Sequence, residues 1–301
     1  MRVLVTGATG FIGGRLADTL AARGGADVRC LVRDRGRASS LEAAGFDLHE
    51  GDVLDASSLR GAGTDVTTAY YLVHSMGRGT GREGFAERER RAASNFASMA
   101  KQEGVERVVY LGGLGDERSE HLRSRAATAA TLAQEGPPLV YFRAGMVVGA
   151  GSESYRTVRY LVERLPAMIA PSWLRNRTQP IAIDDVLEYL ARAGEGPDAD
   201  GLEVQIGGPD VLTYSELLSL MADVLGKRRR PQLPVPFLSP RLSSLWIGLV
   251  TPVDAGVARP LVESLASETI VTDPEPARRF DVQPIGCLEA LLRAREEEEG
   301  I

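Results

Sequence analysis

The stretch Val5-Thr6-Gly7-Ala8-Thr9-Gly10-Phe11-Ile12-Gly13-Gly14 decides how this chain folds. It joins a β-rich run, residues 3–6, to an amphipathic run, residues 11–23, in which Ile12, Leu16 and Leu20 recur at fourfold spacing. Glycines at 7, 10 and 13, set between a buried strand and a helix, make a loop that hugs a pyrophosphate. Gly7 allows the tight turn, Gly10 lets backbone N–H groups approach the phosphates, and Gly13 lets the helix pack closely on the sheet. The helix N-terminus adds unpaired N–H donors and a partial positive charge. Thr9, Phe11 and Ile12 complete the expected cofactor loop. The Gly-Lys-Ser/Thr ending of an ATPase loop is absent.

Downstream, strand-like and helix-like runs alternate. Residues 28–32, 46–50, 69–73, 107–111 and 139–143 read as strands; 39–44, 83–103 and 121–135 read as helices. The alternation predicts right-handed crossovers and an α/β, Rossmann-type doubly wound parallel sheet. Residues 1–150 are the expected dinucleotide-binding core. Residues 151–301 are expected to form a smaller substrate-covering part that returns some elements to that core. They begin with a helix capped by Ser152, running to 165. A strand follows at 180–183, then a helix from Asp184 or Asp185 to 193, and a strand at 202–206. A helix to 225 is opened by Thr213 with Glu216, a capping box. From Arg230 on, prolines and apolar residues read as a cover over the open end of the sheet, and the run Glu296–Glu299 as a solvated, frayed tail.

A net charge of −6 argues against a chain that tracks a phosphate backbone, so nucleic acid is not an expected partner. Cys30 and Cys287, and His49, His74 and His121, are too dispersed for a disulfide framework or metal-ligand spacing, so no metal site is expected. No basic-then-apolar leader precedes the first strand, and the most apolar late stretch, 245–250, is too short to span a bilayer. The expected setting is cytoplasmic.

The end of the second strand chooses the dinucleotide. An acid there accepts from the ribose 2′-OH of NAD, whereas an arginine fork suits the 2′-phosphate of NADP. The sequence there is Leu31-Val32-Arg33-Asp34-Arg35. Arg33 favours NADP(H); Asp34 beside it keeps NAD(H) open. In a chain whose only lysines are Lys101 and Lys227, Arg33 is alternatively a plain surface charge. Asp52, followed by Val53, either hydrogen-bonds the adenine amine or is a turn aspartate. His74 and Ser75, after the fourth strand, either face the nicotinamide or form a satisfied loop pair.

The ordered set of Thr6-Gly7-Ala8-Thr9-Gly10-Phe11-Ile12-Gly13, Gly51-Asp52-Val53, Tyr70-Tyr71-Leu72-Val73-His74-Ser75-Met76, Tyr110-Leu111-Gly112-Gly113-Leu114-Gly115, His121-Leu122-Arg123-Ser124-Arg125, Arg143-Ala144-Gly145 and Thr178-Gln179-Pro180-Ile181-Ala182-Ile183-Asp184-Asp185-Val186 runs over nearly the whole chain. With it the chain resembles the atypical short-chain dehydrogenase/reductases, of the epimerase/dehydratase superfamily. It looks like bacterial NAD(P)H-binding proteins that often carry a further C-terminal domain, which is not expected here. That group is similar to NmrA-like redox-sensing regulators and to an accessory subunit of respiratory complex I, relatives that hold NADP(H) without clear turnover.

Active relatives use a tyrosine and a lysine four positions apart and a serine on the preceding strand. The tyrosine moves the proton, while the lysine lowers its pKa and holds the ribose. This chain has no Tyr-x-x-x-Lys. His121 and Arg125 stand there at the same spacing, on one helix face, and Gly112 or Gly113 stands where the serine belongs. Arg125 is the candidate ribose ligand; His121 is either the acid/base group or a helix-start residue. Tyr155 and Tyr160 read as packing residues.

Two functions follow. One is hydride transfer to a hydrophobic carbonyl or quinone-like small molecule, the proton coming from His121 or water. The other is a non-catalytic NADP(H)-binding redox sensor, assembly factor or scaffold. Sugar-nucleotide epimerisation is weaker, because it leans on the missing tyrosine.

Overall fold

The computed structural model describes residues 1–73, 84–116, 120–164, 168–170, 172–196, 199–229, 232–234 and 267–300. The short apolar runs form β1 (Arg2–Thr6), β2 (Asp27–Val32), β3 (Asp47–Glu50), β4 (Val66–Tyr71), β5 (Arg107–Gly113), β6 (Leu139–Ala144) and β7 (Glu203–Ile206). They lie in one seven-stranded sheet in the order β7-β6-β5-β4-β1-β2-β3, every neighbour parallel. Strands covered on both faces have no polar side to show, which is why Val3, Leu4 and Val5 run without alternation and are all fully buried. Chain order reverses between β1 and β4. The carboxyl ends of these two strands therefore flank the crevice where such sheets bind ligands.

The helices are α1 (Phe11–Ala22), α2 (Ser39–Ala43), α3 (Phe85–Gln102), α4 (Glu120–Glu135), α5 (Glu153–Arg164), α6 (Ile183–Glu195), α7 (Tyr214–Val224), α8 (Glu275–Arg278) and α9 (Cys287–Glu299). Leu16 and Leu20 of α1 share a core with Val186 and Leu190 of α6 on one face of the sheet. On the other face, Phe96 and Ala97 of α3 meet Leu132 of α4. A further core gathers α5, α7 and α9 around Tyr155, Leu217 and Leu291. It joins the sheet through Val148 and Ala182, which belong to the short parallel pair Val147–Val148 and Ile181–Ala182.

Three departures from the sequence reading have physical causes. The fourth strand starts and ends earlier than 69–73. Its pairing with β1 begins at Arg2 opposite Val66, and the Leu72 N–H is taken by the buried Thr6 Oγ1 at 2.9 Å, which turns the chain out of the sheet. The acidic run at the C-terminus is not a frayed tail. It ends α9, whose Cys287, Ala290, Leu291 and Ala294 are buried. Three of its four acids are paired: Glu297 with Arg15 of α1, Glu298 with Arg159 of α5, and Glu299 with Arg295 at 2.8 Å. Of the cover expected from Arg230 on, residues 230, 231 and 235–266 lie outside the described residues, and Gln232–Pro234 pairs in parallel with Met168–Ala170. Among the described residues no helix is long and apolar enough to cross a membrane.

Candidate functional site

Three loops leave the sheet side by side. Thr6 pairs with Leu31, and Val32 pairs with Glu50. With strands about 4.8 Å apart, the loops starting at Gly7, Arg33 and Gly51 are therefore neighbours.

Gly7 has φ +66, and a Cβ there would lie 2.6 Å from the Leu72 carbonyl oxygen. A Cβ at Gly13 would lie 2.3 Å from the Gly7 carbonyl oxygen. Both clashes are with backbone, so no rotamer relieves them. The Gly10 N–H donates to the Gly7 carbonyl at 2.8 Å and closes the turn. Gly10 is also the N-cap of the 12-residue α1, with no side-chain cap and no acid in the first turn. The leading N–H groups of α1 thus face neither a capping oxygen nor a competing carboxylate, the condition for an anion site. Thr9 is exposed, and Phe11 and Ile12 are half-buried at the same helix start. The Phe11 ring lies under the Arg15 guanidinium, 5.1 Å from its centroid, and against Gly149, where a Cβ would come within 3.0 Å of the ring.

Arg33 is exposed at the end of β2, and no described residue pairs with it. Asp34 turns back on its own chain: its Oδ1 accepts from Gly36 N at 2.9 Å and Arg37 N at 3.3 Å, capping the single turn Arg35–Ala38. Asp52 is half-buried, and its Oδ1 accepts from Leu54 N at 2.9 Å. The neighbouring Val53 is buried, its carbonyl accepting from Asn95 Nδ2 at 2.9 Å.

At the other end of the crevice stands the pair on α4. Arg125 Nη1 donates to the Leu111 carbonyl at 3.3 Å and its Nε donates to His121 Nε2 at 2.9 Å. An imidazole that accepts at Nε2 is neutral and carries its proton on Nδ1. Burial, then the neighbouring Arg125 charge, push the His121 pKa from 6.5 down to about 3. Gly112 and Gly113 stand close to side chains: a Cβ at Gly112 would lie 2.7 Å from the Tyr141 ring, and one at Gly113 2.5 Å from the end of the flexible Leu122 side chain, Cδ2. His74 and Ser75 lie outside the described residues. Tyr155 is fully buried in the α5–α7–α9 core, and Tyr160 lies under Arg164 at 4.9 Å.

Two contributions had no role assigned from sequence, although Arg143 stands in one of the markers of the resemblance. Arg143 braces the loop after β5: Nε donates to Gly113 O at 3.3 Å, Nη2 to Gly115 O at 2.9 Å, and Nη1 to Glu203 at 2.8 Å. Its signal was a lone charge ending the apolar run Leu139-Val140-Tyr141-Phe142. Thr269 lies against the loops after β5 and β6: it would meet a Cβ at Gly115 at 3.2 Å and one at Gly145 at 3.3 Å. It is fixed by Gln179 N to Thr269 O at 3.0 Å and by Thr269 Oγ1 to Thr178 Oγ1 at 2.9 Å. Those partners are about ninety residues away in sequence, so nothing local announces the contact.

Residues 7–135 match a family described as NAD(P)H-binding. The chain is 26% identical, over 248 residues, to NADH dehydrogenase (ubiquinone) 1 alpha subcomplex subunit 9, mitochondrial, of Arabidopsis thaliana. The match takes in 77% of this chain and 60% of that protein, so the chain spans about three-fifths of that relative's length. The fold is similar to that of the Citrobacter sp. triphenylmethane reductase complexed with NADP(H), with TM-score 0.76, 18% identity, and 98% of this chain and 100% of that one covered. It is also similar to the Escherichia coli NADPH-dependent quinone oxidoreductase complexed with NADPH, with TM-score 0.76, 19% identity, and 97% of this chain and 98% of that one covered. The glycine loop from Gly7, Arg33, Asp52, His121 and Arg125 all fall within the family match.

Proposed function

We propose that this chain, whose residues 7–135 match an NAD(P)H-binding family, is an atypical short-chain dehydrogenase/reductase and an NADP(H)-dependent oxidoreductase acting on a small hydrophobic carbonyl or quinone-like acceptor. The observation that carries the reading is the loop from Gly7 to Gly13. Its Gly7 and Gly13 are forced by backbone contacts, and it ends on an uncapped helix N-terminus at the crevice between β1 and β4. The unpartnered Arg33 supports NADP(H) over NAD(H), with Asp52 on the adenine side. Two structural neighbours whose names state NADPH or NADP(H) act on a quinone or a triphenylmethane, which supports a conjugated acceptor here.

Bound there, the nicotinamide would supply a hydride; positioning and hydrogen-bond donation would fall to side chains. Arg125, anchored on Leu111 O, would hold the ribose through guanidinium N–H groups not used on Leu111 and His121. His121, neutral and protonated on Nδ1, would donate a hydrogen bond to the acceptor oxygen, with the proton drawn finally from water. A pKa pushed down to about 3 supports this donor role better than that of an imidazolium acid.

A second reading, an NADP(H)-holding protein without turnover, is favoured by one observation: Gly112 and Gly113 end β5 where active relatives carry the catalytic serine. Titration calorimetry with NADPH, NADP⁺ and NADH tests both, followed by absorbance at the nicotinamide band with a panel of quinones and carbonyls. NADPH binding with oxidation by an acceptor is the expected result. Binding without oxidation transfers the conclusion to the second reading, and no binding removes both.

A further inference from the structure

We infer that Arg143 is a positioning residue: by gripping the carbonyls of Gly113 and Gly115 it holds the loop after β5 against the α4 turn that carries His121 and Arg125, and Glu203 of β7 aims it for that grip; this rests on the oxidoreductase reading above. The loop cannot hold itself. Gly112-Gly113-Leu114-Gly115 has one side chain in four residues, and Gly115 stands at φ +131. Glycine backbones have the widest conformational freedom of any residue. The place of this loop is therefore decided by what grips it from outside.

An arginine suits that task. Nε donates to Gly113 O at 3.3 Å and Nη2 to Gly115 O at 2.9 Å, so one planar fork spans two carbonyls two residues apart. A lysine ammonium has no such fork. The third arm, Nη1, donates to Glu203 Oε1 at 2.8 Å. The Glu203 side chain is half exposed, where an ion pair adds little to stability; its effect is to aim the guanidinium. Leu114 N donates to Ala144 O at 2.7 Å and ties the loop to β6 a second time.

The other side of the loop meets the groups proposed for the chemistry. A Cβ at Gly113 would lie 2.5 Å from Leu122 Cδ2 and 3.6 Å from Arg125 Cδ, and one at Gly115 3.2 Å from Leu122 Cδ1. Arg125 Nη1 donates to Leu111 O at 3.3 Å, just before the glycines, while its Nε donates to His121 Nε2 at 2.9 Å. Loop and pair share one contact surface, so a loop that slips changes where Arg125 and His121 point. The glycine loop from Gly7 follows β1, three strands from β6 across β5 and β4. Arg143 is thus placed to set the reacting end of the crevice and not the grip on the dinucleotide. Arg107 makes a comparable set of bonds, to Asp200 at 2.5 Å and Ala193 O at 2.9 Å, but from the amino end of β5, opposite the crevice.

The test uses the full chain, NADPH, and menadione, benzoquinone and benzaldehyde as acceptors. Arg143→Gln and Arg143→Lys are each expected to lower kcat by about tenfold to a hundredfold, the cost of misplaced reacting groups. The Kd of NADPH, by calorimetry, should stay within about threefold of wild type. Lysine keeps the charge and loses the fork, so a wild-type rate in Arg143→Lys would make Arg143 a source of field, not of position, and overturn the inference. Glu203→Gln should lower kcat less. The double variant Arg143→Gln/Glu203→Gln should be no slower than Arg143→Gln alone, because both act through one contact; losses that multiply would remove Glu203 from the role. Arg107→Gln is the structural comparison, expected to lower the melting temperature and leave the kcat of the folded protein unchanged. If Arg143→Gln does the same, Arg143 only braces the fold, and the inference fails with the oxidoreductase reading intact. It fails too if NADPH affinity drops as far as kcat. If Arg143→Gln does not fold, Arg143→Lys and Glu203→Gln carry the comparison. Wild-type protein that oxidises NADPH with none of the three acceptors overturns the oxidoreductase reading and this inference with it.

Discussion

At residue 13 the chain has almost no choice. The Gly7 carbonyl lies 2.3 Å from where a Cβ would stand, so Gly13→Ala must push α1 or the loop outward. Strain of that kind costs about 1–3 kcal/mol and moves the N–H groups off the phosphates. The expected result is a lower melting temperature and a dinucleotide affinity reduced by more than about tenfold; unchanged values of both would show that the loop yields freely. This much of the site was legible, because glycine spacing reports backbone approach directly. The state of His121 was not. A histidine read alone has a pKa near neutrality, and the depression to about 3 comes from burial and from Arg125 one turn away. The folded pKa lies below the unfolded 6.5, so the stabilisation by neutral His121 is complete above pH 6.5 and is lost progressively as pH falls towards 3. At about 1.4 kcal/mol per unit, the loss at pH 4 reaches up to about 3 kcal/mol. His121→Phe should remove that acid-side loss. Urea midpoints of both proteins at pH 7 and pH 4 check it, and parallel falls would refute the depressed pKa. For the same reason turnover should show no inflection near pH 6.5 that belongs to His121.

Elements were legible where their periodicity was local. The capping box before α7 is formed as its spacing implies: Thr213 N donates to Glu216 at 2.7 Å and Glu216 N to Thr213 Oγ1 at 3.2 Å. Helix α9 escaped because its four terminal glutamates dominate the composition and conceal the buried stripe of Cys287, Ala290, Leu291 and Ala294. Which of the two holds the helix down can be decided by magnitude. Arg15–Glu297 and Arg159–Glu298 are partly exposed pairs, and such pairs contribute about 0–1 kcal/mol. Leu291 is fully buried among α5 and α7, and truncating a core leucine costs about 2–5 kcal/mol. Leu291→Ala should therefore destabilise the protein several times more than Glu297→Ala or Glu298→Ala in chemical denaturation. The reverse order would make the acidic run the true fastening.

At the scale of the molecule, residues 1–150 read in sequence as a binding core to which the later part returns some elements, and the structure identifies the strand and the helix that return. β7 pairs with β6 along Glu203–Ile206, and α6 shares the core of α1. Arg23, the C-cap of α1, also reaches Glu188 and Glu195 of α6. Which partner each returning element takes leaves no local trace, because each is ordinary by itself and only the pairing is informative. A fragment of residues 1–150 would expose Leu16, Leu20 and Phe142 on the face that α6 covers, along with the free edge of β6. It should keep helical circular dichroism, bind a hydrophobic dye and fail to bind dinucleotide, as loosely packed states do. The whole chain should melt in one transition. NADPH at a hundred times its Kd should raise stability by about 2.7 kcal/mol, or roughly 4 °C for a chain of this length. If the fragment instead melts cooperatively and NADPH shifts that melt alike, residues 1–150 are an autonomous domain, and α6 and β7 decorate the core rather than complete it.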